Sequence, residues 1–349
     1  MAQQKNYYVQ KQHEYKEKLA ELKKILPIYV VPYLEDKELT VQISTVVAYA
    51  YDLLTFFNYL IQENPLCHGM EPRDVPLDIL EKLTFSDINE YQLYLKLSND
   101  HQNGEKGIAR RMAPLRGFFT YAYARGDIGQ NPTAQAANRK KKKKDAIVRL
   151  EAAEVDDFLS GVKNTEVASD RQRKFCQKSQ MRDTAICTLL LYTGIRVSEC
   201  VGIDVDDLNF TSNAVRIVRK GGNSSIVYFN DEVATVLQEY INGERAVLLG
   251  EASDEKALFI SNKRRRMCVK SVENVVKKYA KEAVPLKSIT PHKLRATFGT
   301  SLYQSTGDIY LVADVLGHKD VNTTSQNYSA QADSHRRQAA HIDIYKTDL

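Results

Sequence analysis

Six residues in the second half of the chain share one chemical theme. They are Arg196 in TGIRVSE, Lys220 in VRKGGN, His292 and Arg295 in PHKLR, His318 in LGHK and Tyr328 in NTTSQNYS. Two guanidiniums, an ammonium and two imidazoles could surround one phosphate, and a phenol hydroxyl could attack it. Breaking a phosphodiester without a metal needs such a set. Guanidiniums offer fixed forks to the non-bridging oxygens and stabilise the charge that grows there in the transition state. A proton must leave the attacking hydroxyl and another must reach the departing 5′ oxygen, so a base and an acid are required. Taken singly, each residue also has an ordinary structural explanation. His292 follows Pro291 and could cap a helix, His318 follows Gly317 and could make a loop contact, and Tyr328 is one of 20 tyrosines. A lysine in a hairpin tip, such as Lys220, is commonly just solvated. Composition and periodicity do not assemble six such positions; only the motifs around them do.

The elements that must hold these residues are readable from periodicity. LEAAEVDDFLSGV begins helically, and MRDTAICTLLLYTG is a strongly apolar helix closed by Gly194. NAVRIVRKGGNSSIVYF alternates on both sides of Lys220-Gly221-Gly222-Asn223, which predicts a hairpin whose Gly and Asn supply positive φ. ALFIS reads as a further short strand. SVENVVKKYAKEA, PHKLRATFGTSLYQSTG and DIYLVADVLGHK are helical.

Residues 1–128 read as a small all-helical domain. Tyr15, Leu19, Leu22 and Leu26 share one face of a 3.6-residue period, which Pro27 and Pro32 then interrupt. A second helix starts near Ser44, a candidate N-cap, with Val46, Ala50, Leu53, Leu54, Phe57 and Leu60 as its buried stripe. A third begins where Thr84 and Asp87 have capping-box spacing, with Ile88, Tyr91 and Leu95 as its face. A fourth runs from about Gly107 to Ala124 and ends at Gly126. It mixes aromatics with Arg110, Arg111 and Arg116, which either sit in solvent or contact phosphates from one face. Residues 129–150, with Pro132 and then Arg139-Lys140-Lys141-Lys142-Lys143-Lys144, form the natural interdomain linker, and 151–349 the second domain with its tail.

The chain of 349 residues has 49 basic and 44 acidic side chains, for a net charge of +5. Removing the six in Arg139–Lys144 leaves 43 basic against 44 acidic, so the positive excess is one short run. Such a run is either a solvated linker or a strand that lies on a polyanion such as DNA. No window approaches the ~18 uncharged apolar residues of a membrane span. The first residues lack the apolar core of a secretory signal, so a cytoplasmic protein is expected. Five cysteines without CxxC spacing argue against a disulfide framework or a zinc site.

TGIRVSE, RKGGN, TPHKLRATFGTSLYQSTG and VADVLGHKDVNTTSQNY, in this order and spacing, resemble the tyrosine recombinases, the lambda-integrase-type site-specific recombinases. The stretch GIARRMAPLRGFFTYAYARGDIGQNP is similar to the last helices of that family's core-binding domain. The resemblance spans roughly residues 10–340. Within the family, LPIYVVPYL, the lysine-run linker and the long approach Ser160–Met181 to Arg182-Asp183 are similar to the single-recombinase branch of the Xer group, which resolves chromosome dimers. One departure is Ala296, where the family often carries a second histidine in HxLRH.

The resemblance implies two domains in a C-shaped clamp on DNA. An all-α core-binding domain faces a mainly α catalytic domain with a small antiparallel sheet. It also implies roles for the six. Tyr328 is the nucleophile that forms a 3′-phosphotyrosyl link. Arg196 and Arg295 clamp the phosphate. Lys220 protonates the leaving oxygen. His292 serves as base or proton relay, and His318 hydrogen-bonds the phosphate. Glu199 either orients the site or is an exposed helix acid. No metal or cofactor is implied, and no Gly-rich phosphate loop is present. The implied partners are a double-stranded DNA recombination site, a homo-tetramer on that DNA and a DNA translocase of the FtsK type. Tails such as Ser329 to Leu349 dock on a neighbouring subunit in the family. Two other functions fit the same residues in part: a mobile-element integrase, and a DNA-binding architectural protein without activity.

Overall fold

The computed structural model describes residues 7–97, 104–137, 148–163, 179–219, 221–250, 253 and 255–317. The chain divides into two compact units, Met1–Lys143 and Lys144–Leu349.

The first unit is helical, with α1 (Tyr7–Ile25), α2 (Val31–Thr40), α3 (Ile43–Glu63), α4 (Leu77–Lys82), α5 (Phe85–Leu97) and α6 (Glu105–Arg125). α3 lies at its centre, packed on α1, α2 and α6. Its buried face carries Val46, Val47, Ala50, Leu53, Phe56, Phe57 and Leu60. Phe118 and Phe119 of α6 and Tyr33 of α2 close the same core. A fully buried Phe or Leu stabilises by about 1.5–3 kcal/mol, so this aromatic layer is the unit's main cohesive element.

Two local expectations need correction. The first helix does end before Pro27, but Pro32 takes no part in that interruption: it sits in the first turn of α2, where no intrahelical N–H is needed. Ser44 is not the cap of α3, which begins at Ile43 after the extended residue Gln42. Elsewhere the local chemistry matches. The Thr84 N–H donates to Asp87 Oδ2 at 2.7 Å, and Gly126 closes α6 at φ 77°.

The second unit contains α7 (Ala152–Lys163), α8 (Gln180–Thr193), α9 (Val197–Gly202) and the strands β1 (Leu208–Asn209), β2 (Ala214–Val218) and β3 (Ser224–Tyr228). It continues through α10 (Asp231–Tyr240), α11 (Ala246–Leu249), α12 (Val269–Ala283), α13 (Pro291–Thr306) and α14 (Ile309–Leu316). α8 is buried on most sides because it is the core: Ala185, Ile186, Cys187, Leu189, Leu190 and Leu191 are all buried, as is the ion pair Arg182–Asp183 near its start. α7, α10, α12 and α13 pack around it. The strands form an antiparallel sheet in the order β1-β2-β3. Val215 faces Val227 and Val218 faces Ser224.

The hairpin expected around residues 219–223 is present, with Gly221 at φ 108° and Gly222 at φ 89°. Asn223 is not among the positive-φ residues, so among the described residues of the turn the two glycines supply that conformation. ALFIS forms no strand. Ala257 and Ile260 make only isolated bridges, to Asp204 and Arg266, inside a buried segment. The third strand is instead Leu208–Asn209, too short to show a period.

Candidate active site

α8 ends at Gly194, whose φ of 60° suits a residue without a side chain. Two residues later Arg196 opens α9 at its N-cap. The carboxylate of buried Glu199 reaches back to it. Oε2 accepts the Arg196 backbone N–H at 2.7 Å, and Oε1 accepts Nη1 at 2.8 Å. Glu199 is therefore not an exposed helix acid. It fixes the start of the helix and the Arg196 guanidinium together, while Nη2 points to the Gly317 carbonyl at 3.4 Å. A third of the Arg196 side chain stays exposed.

α13 begins with Pro291, so His292 and Arg295 fall in its first turn, three residues apart on one side. Arg295 is buried, and its Nη1 donates to the Gly194 carbonyl at 2.6 Å. Its Nη2 donates to the Leu316 carbonyl. His292 is exposed, yet its proton is easily lost. Protein crowding on its inner side, then the charges of Arg295 and Arg196, hold its pKa below the ordinary 6.5. Both effects favour the neutral imidazole, the form that can accept a proton.

α14 ends at Gly317, at φ 61°. The last carbonyls of a helix lack intrahelical donors and mark the negative end of its dipole. Here guanidiniums fill that role: Arg196 on Gly317, Arg295 on Leu316, and Arg219, which is not one of the six motif residues. Arg219 donates to Leu316 at 2.8 Å through Nη1 and to Val315 at 3.1 Å through Nη2. The only sequence signal for it is its place just before Lys220. So Arg196, Arg219 and Arg295, from three separate elements, meet at the helix end that precedes His318, and His292 lies within reach of the charges of Arg196 and Arg295. Lys220, His318, Tyr328, the run Arg139–Lys144 and residues 164–178 lie outside the described residues.

The arginines expected to touch DNA from the first unit behave differently. Arg110 holds both oxygens of buried Asp52, at 2.9 and 3.1 Å, and Arg111 stands 3.8 Å from the same carboxylate. Burial raises the Asp52 pKa, against the lowering pull of Arg110 and Arg111. Arg116 donates to the Ala137 carbonyl at 3.0 Å. Among the described residues, no group of three or more His, Cys, Asp or Glu is placed to hold a metal ion. No described helix is long and apolar enough to cross a membrane.

Residues 149–335 match the phage integrase family. The chain is 30% identical over 305 residues to the tyrosine recombinase XerC of Caldanaerobacter subterraneus, covering 85% of this chain and 80% of that one. It is 30% identical to the tyrosine recombinase XerS of Streptococcus mutans, over 88% of this chain and 93% of the relative. In fold it is similar to the XerH site-specific recombinase bound to palindromic difH substrate. The TM-score is 0.64 at 18% identity, covering 86% of this chain and 80% of that one. A lambda integrase dimer bound to a core site gives 0.57 at 16% identity, covering 86% and 94%. With a family match over more than half its length and relatives of this identity along most of it, the chain belongs to the phage integrase family and is a tyrosine recombinase of the Xer type.

Proposed function

We propose that this recombinase cuts and rejoins duplex DNA at a chromosomal dif-type site, resolving chromosome dimers, with Tyr328 as its nucleophile. The observation that carries the reading is the convergence of Arg196 and Arg295 on the helix end that leads into His318, with His292 held toward its neutral form by burial and by those two charges. Relatives named XerS match over 93% of their own length, which supports the single-recombinase assignment.

The Tyr328 phenol gives its proton to His292 as its oxygen bonds to phosphorus. The bond from phosphorus to the 5′ oxygen breaks, and Lys220 supplies that oxygen with a proton. Arg196 and Arg295 bind the non-bridging oxygens, where bidentate guanidiniums stabilise the developing charge. His318 adds a hydrogen bond, and Glu199 orients Arg196. The phosphotyrosyl ester conserves the bond energy, so a second 5′ hydroxyl reverses the step without ATP.

Residues 1–128 serve as the core-binding domain and 151–349 as the catalytic domain. Between them, residues 129–150 carry Arg139–Lys144 along the phosphate backbone. Arg110, Arg111 and Arg116 add contacts from the first unit. Two subunits bind each of two sites, giving a tetramer on DNA in the cytoplasm, with a translocase of the FtsK type as activator. A nicked suicide substrate tests the reading. Tyr328→Phe should bind it and yield no covalent adduct; an adduct of normal yield would refute the assignment.

A further inference from the structure

We propose that Arg219 is a positioning residue for leaving-group protonation: it latches the hairpin tip that carries Lys220 to the C-terminal end of α14. This rests on the general-acid reading of Lys220 given above.

Arg219 follows the last residue of β2. Its N–H donates to the Asn223 carbonyl at 2.8 Å, and its own carbonyl accepts the Gly222 N–H at 3.0 Å. These bonds close the turn from the backbone side. Inside the turn, Gly221 and Gly222 both have positive φ. Two adjacent glycines restrict the backbone least of all residues, so a tip built on them needs an anchor to hold a side chain in one place.

The Arg219 side chain is that anchor. It leaves the hairpin and crosses to α14, where its two terminal nitrogens take the carbonyls of successive residues, Val315 and Leu316. A planar fork spans two such acceptors at once, which a lysine ammonium on a flexible stem does not. The carbonyls belong to the negative end of the helix, which favours a cation there. The guanidinium also lies against Gly317: a Cβ at that position would collide with its Nη1, Cζ and Nε atoms. Gly317 thus does two things, ending the helix at positive φ and leaving room for the latch.

Leu316 ties this latch to the phosphate clamp. Its carbonyl accepts from Arg219 and from Arg295. One backbone group therefore links the hairpin, the helix end before His318 and the clamp arginine. Arg219 fixes the tip relative to Arg295 without touching the phosphate itself. A proton donor displaced by about 1 Å can cost on the order of 100-fold in rate, and general acid catalysis as a whole contributes roughly 100- to 10,000-fold.

The test compares nicked substrates with a bridging 5′ oxygen or a bridging 5′ sulfur. The sulfur leaves as a thiolate and needs no proton. At saturating DNA, Arg219→Ala should cleave the oxygen substrate about 10- to 100-fold slower, and the sulfur substrate at nearly the parent rate. Arg219→Lys keeps the charge but not the fork, and should share the oxygen-specific defect. Equal losses on both substrates, or full activity of Arg219→Lys, would overturn the proposal. Lys220→Ala is run beside them. If it shows no sulfur rescue, the general-acid reading fails, and the latch is judged by amide hydrogen exchange across residues 219–223. Faster exchange in Arg219→Ala upholds the latch; unchanged exchange overturns it.

Discussion

In the first unit Arg110 and Arg111 face a buried carboxylate, Asp52, whereas in the second Arg219 and Arg295 reach the carbonyl oxygens of a helix end. Both arrangements hold guanidiniums in place. They differ in what remains of the charge. A carboxylate organises an arginine and offsets its charge, as Asp52 does for Arg110 and Glu199 for Arg196; a carbonyl organises it and leaves the positive field standing, as at Arg219 and Arg295. Burial, then the charges of carbonyl-held Arg295 and of Arg196, push His292 toward its neutral form. Asp52 has its own two arginines working to keep it charged against the burial that raises its pKa. The first arrangement ties two helices of one unit together. The second suits a site that must meet a phosphate.

The sharpest way to break this contrast is to remove a carbonyl-held guanidinium. Arg295→Ala should slow single-turnover cleavage at saturating DNA by about 100- to 1,000-fold, the usual effect of losing a preorganised donor to a developing oxyanion. Arg295→Lys should remain impaired, because an ammonium cannot bridge Gly194, Leu316 and the phosphate. A parent-like rate in either variant would remove Arg295 from the clamp.

At the carboxylate-held pair the expected effects are smaller and of another kind. Arg110→Ala strips Asp52 of its bidentate partner and should lower stability by about 1–3 kcal/mol in denaturant unfolding. Asp52→Asn releases the charge of Arg110 and Arg111. If these reach phosphates, the slope of log affinity against log salt should steepen by about 0.9 for each additional phosphate neutralised. An unchanged slope would confine both arginines to a structural role.

Much of this arrangement is legible in the sequence where the signal is local. Alternation marks the hairpin, and Arg216 and Val227 do lie out and in as a two-residue period demands. Gly126 and Gly194 mark helix ends because only a local φ is at stake. What escapes is long-range and carried by backbone. The bonds from Arg219 to Val315 and Leu316, and from Arg295 to Gly194, join residues about a hundred positions apart through carbonyls. A carbonyl has no side-chain identity, so no residue type announces it. Asp52 is hidden for a related reason: it sits in the apolar face of α3 and is tolerated there by Arg110, 58 residues away, and its neighbour Arg111. Pro32 misleads because the same ring that ends one helix is at home in the first turn of the next.

The smallest effect is in pH. On the proposed mechanism only neutral His292 accepts the tyrosine proton, and its pKa is lowered from 6.5. Cleavage should therefore persist as pH falls through 6.5 and decline only below it. An acid limb at or above that value would mean that the arginine charges do not reach the imidazole.

The central claim is that this site works through a covalent bond to Tyr328. The direct measurement is to trap the adduct on a nicked suicide substrate, digest the protein, and identify the DNA-bearing peptide and the linked DNA end. The account predicts a single peptide, modified at Tyr328 and joined to a 3′ phosphate. A 5′ linkage, or DNA on any other of the 20 tyrosines, would contradict it.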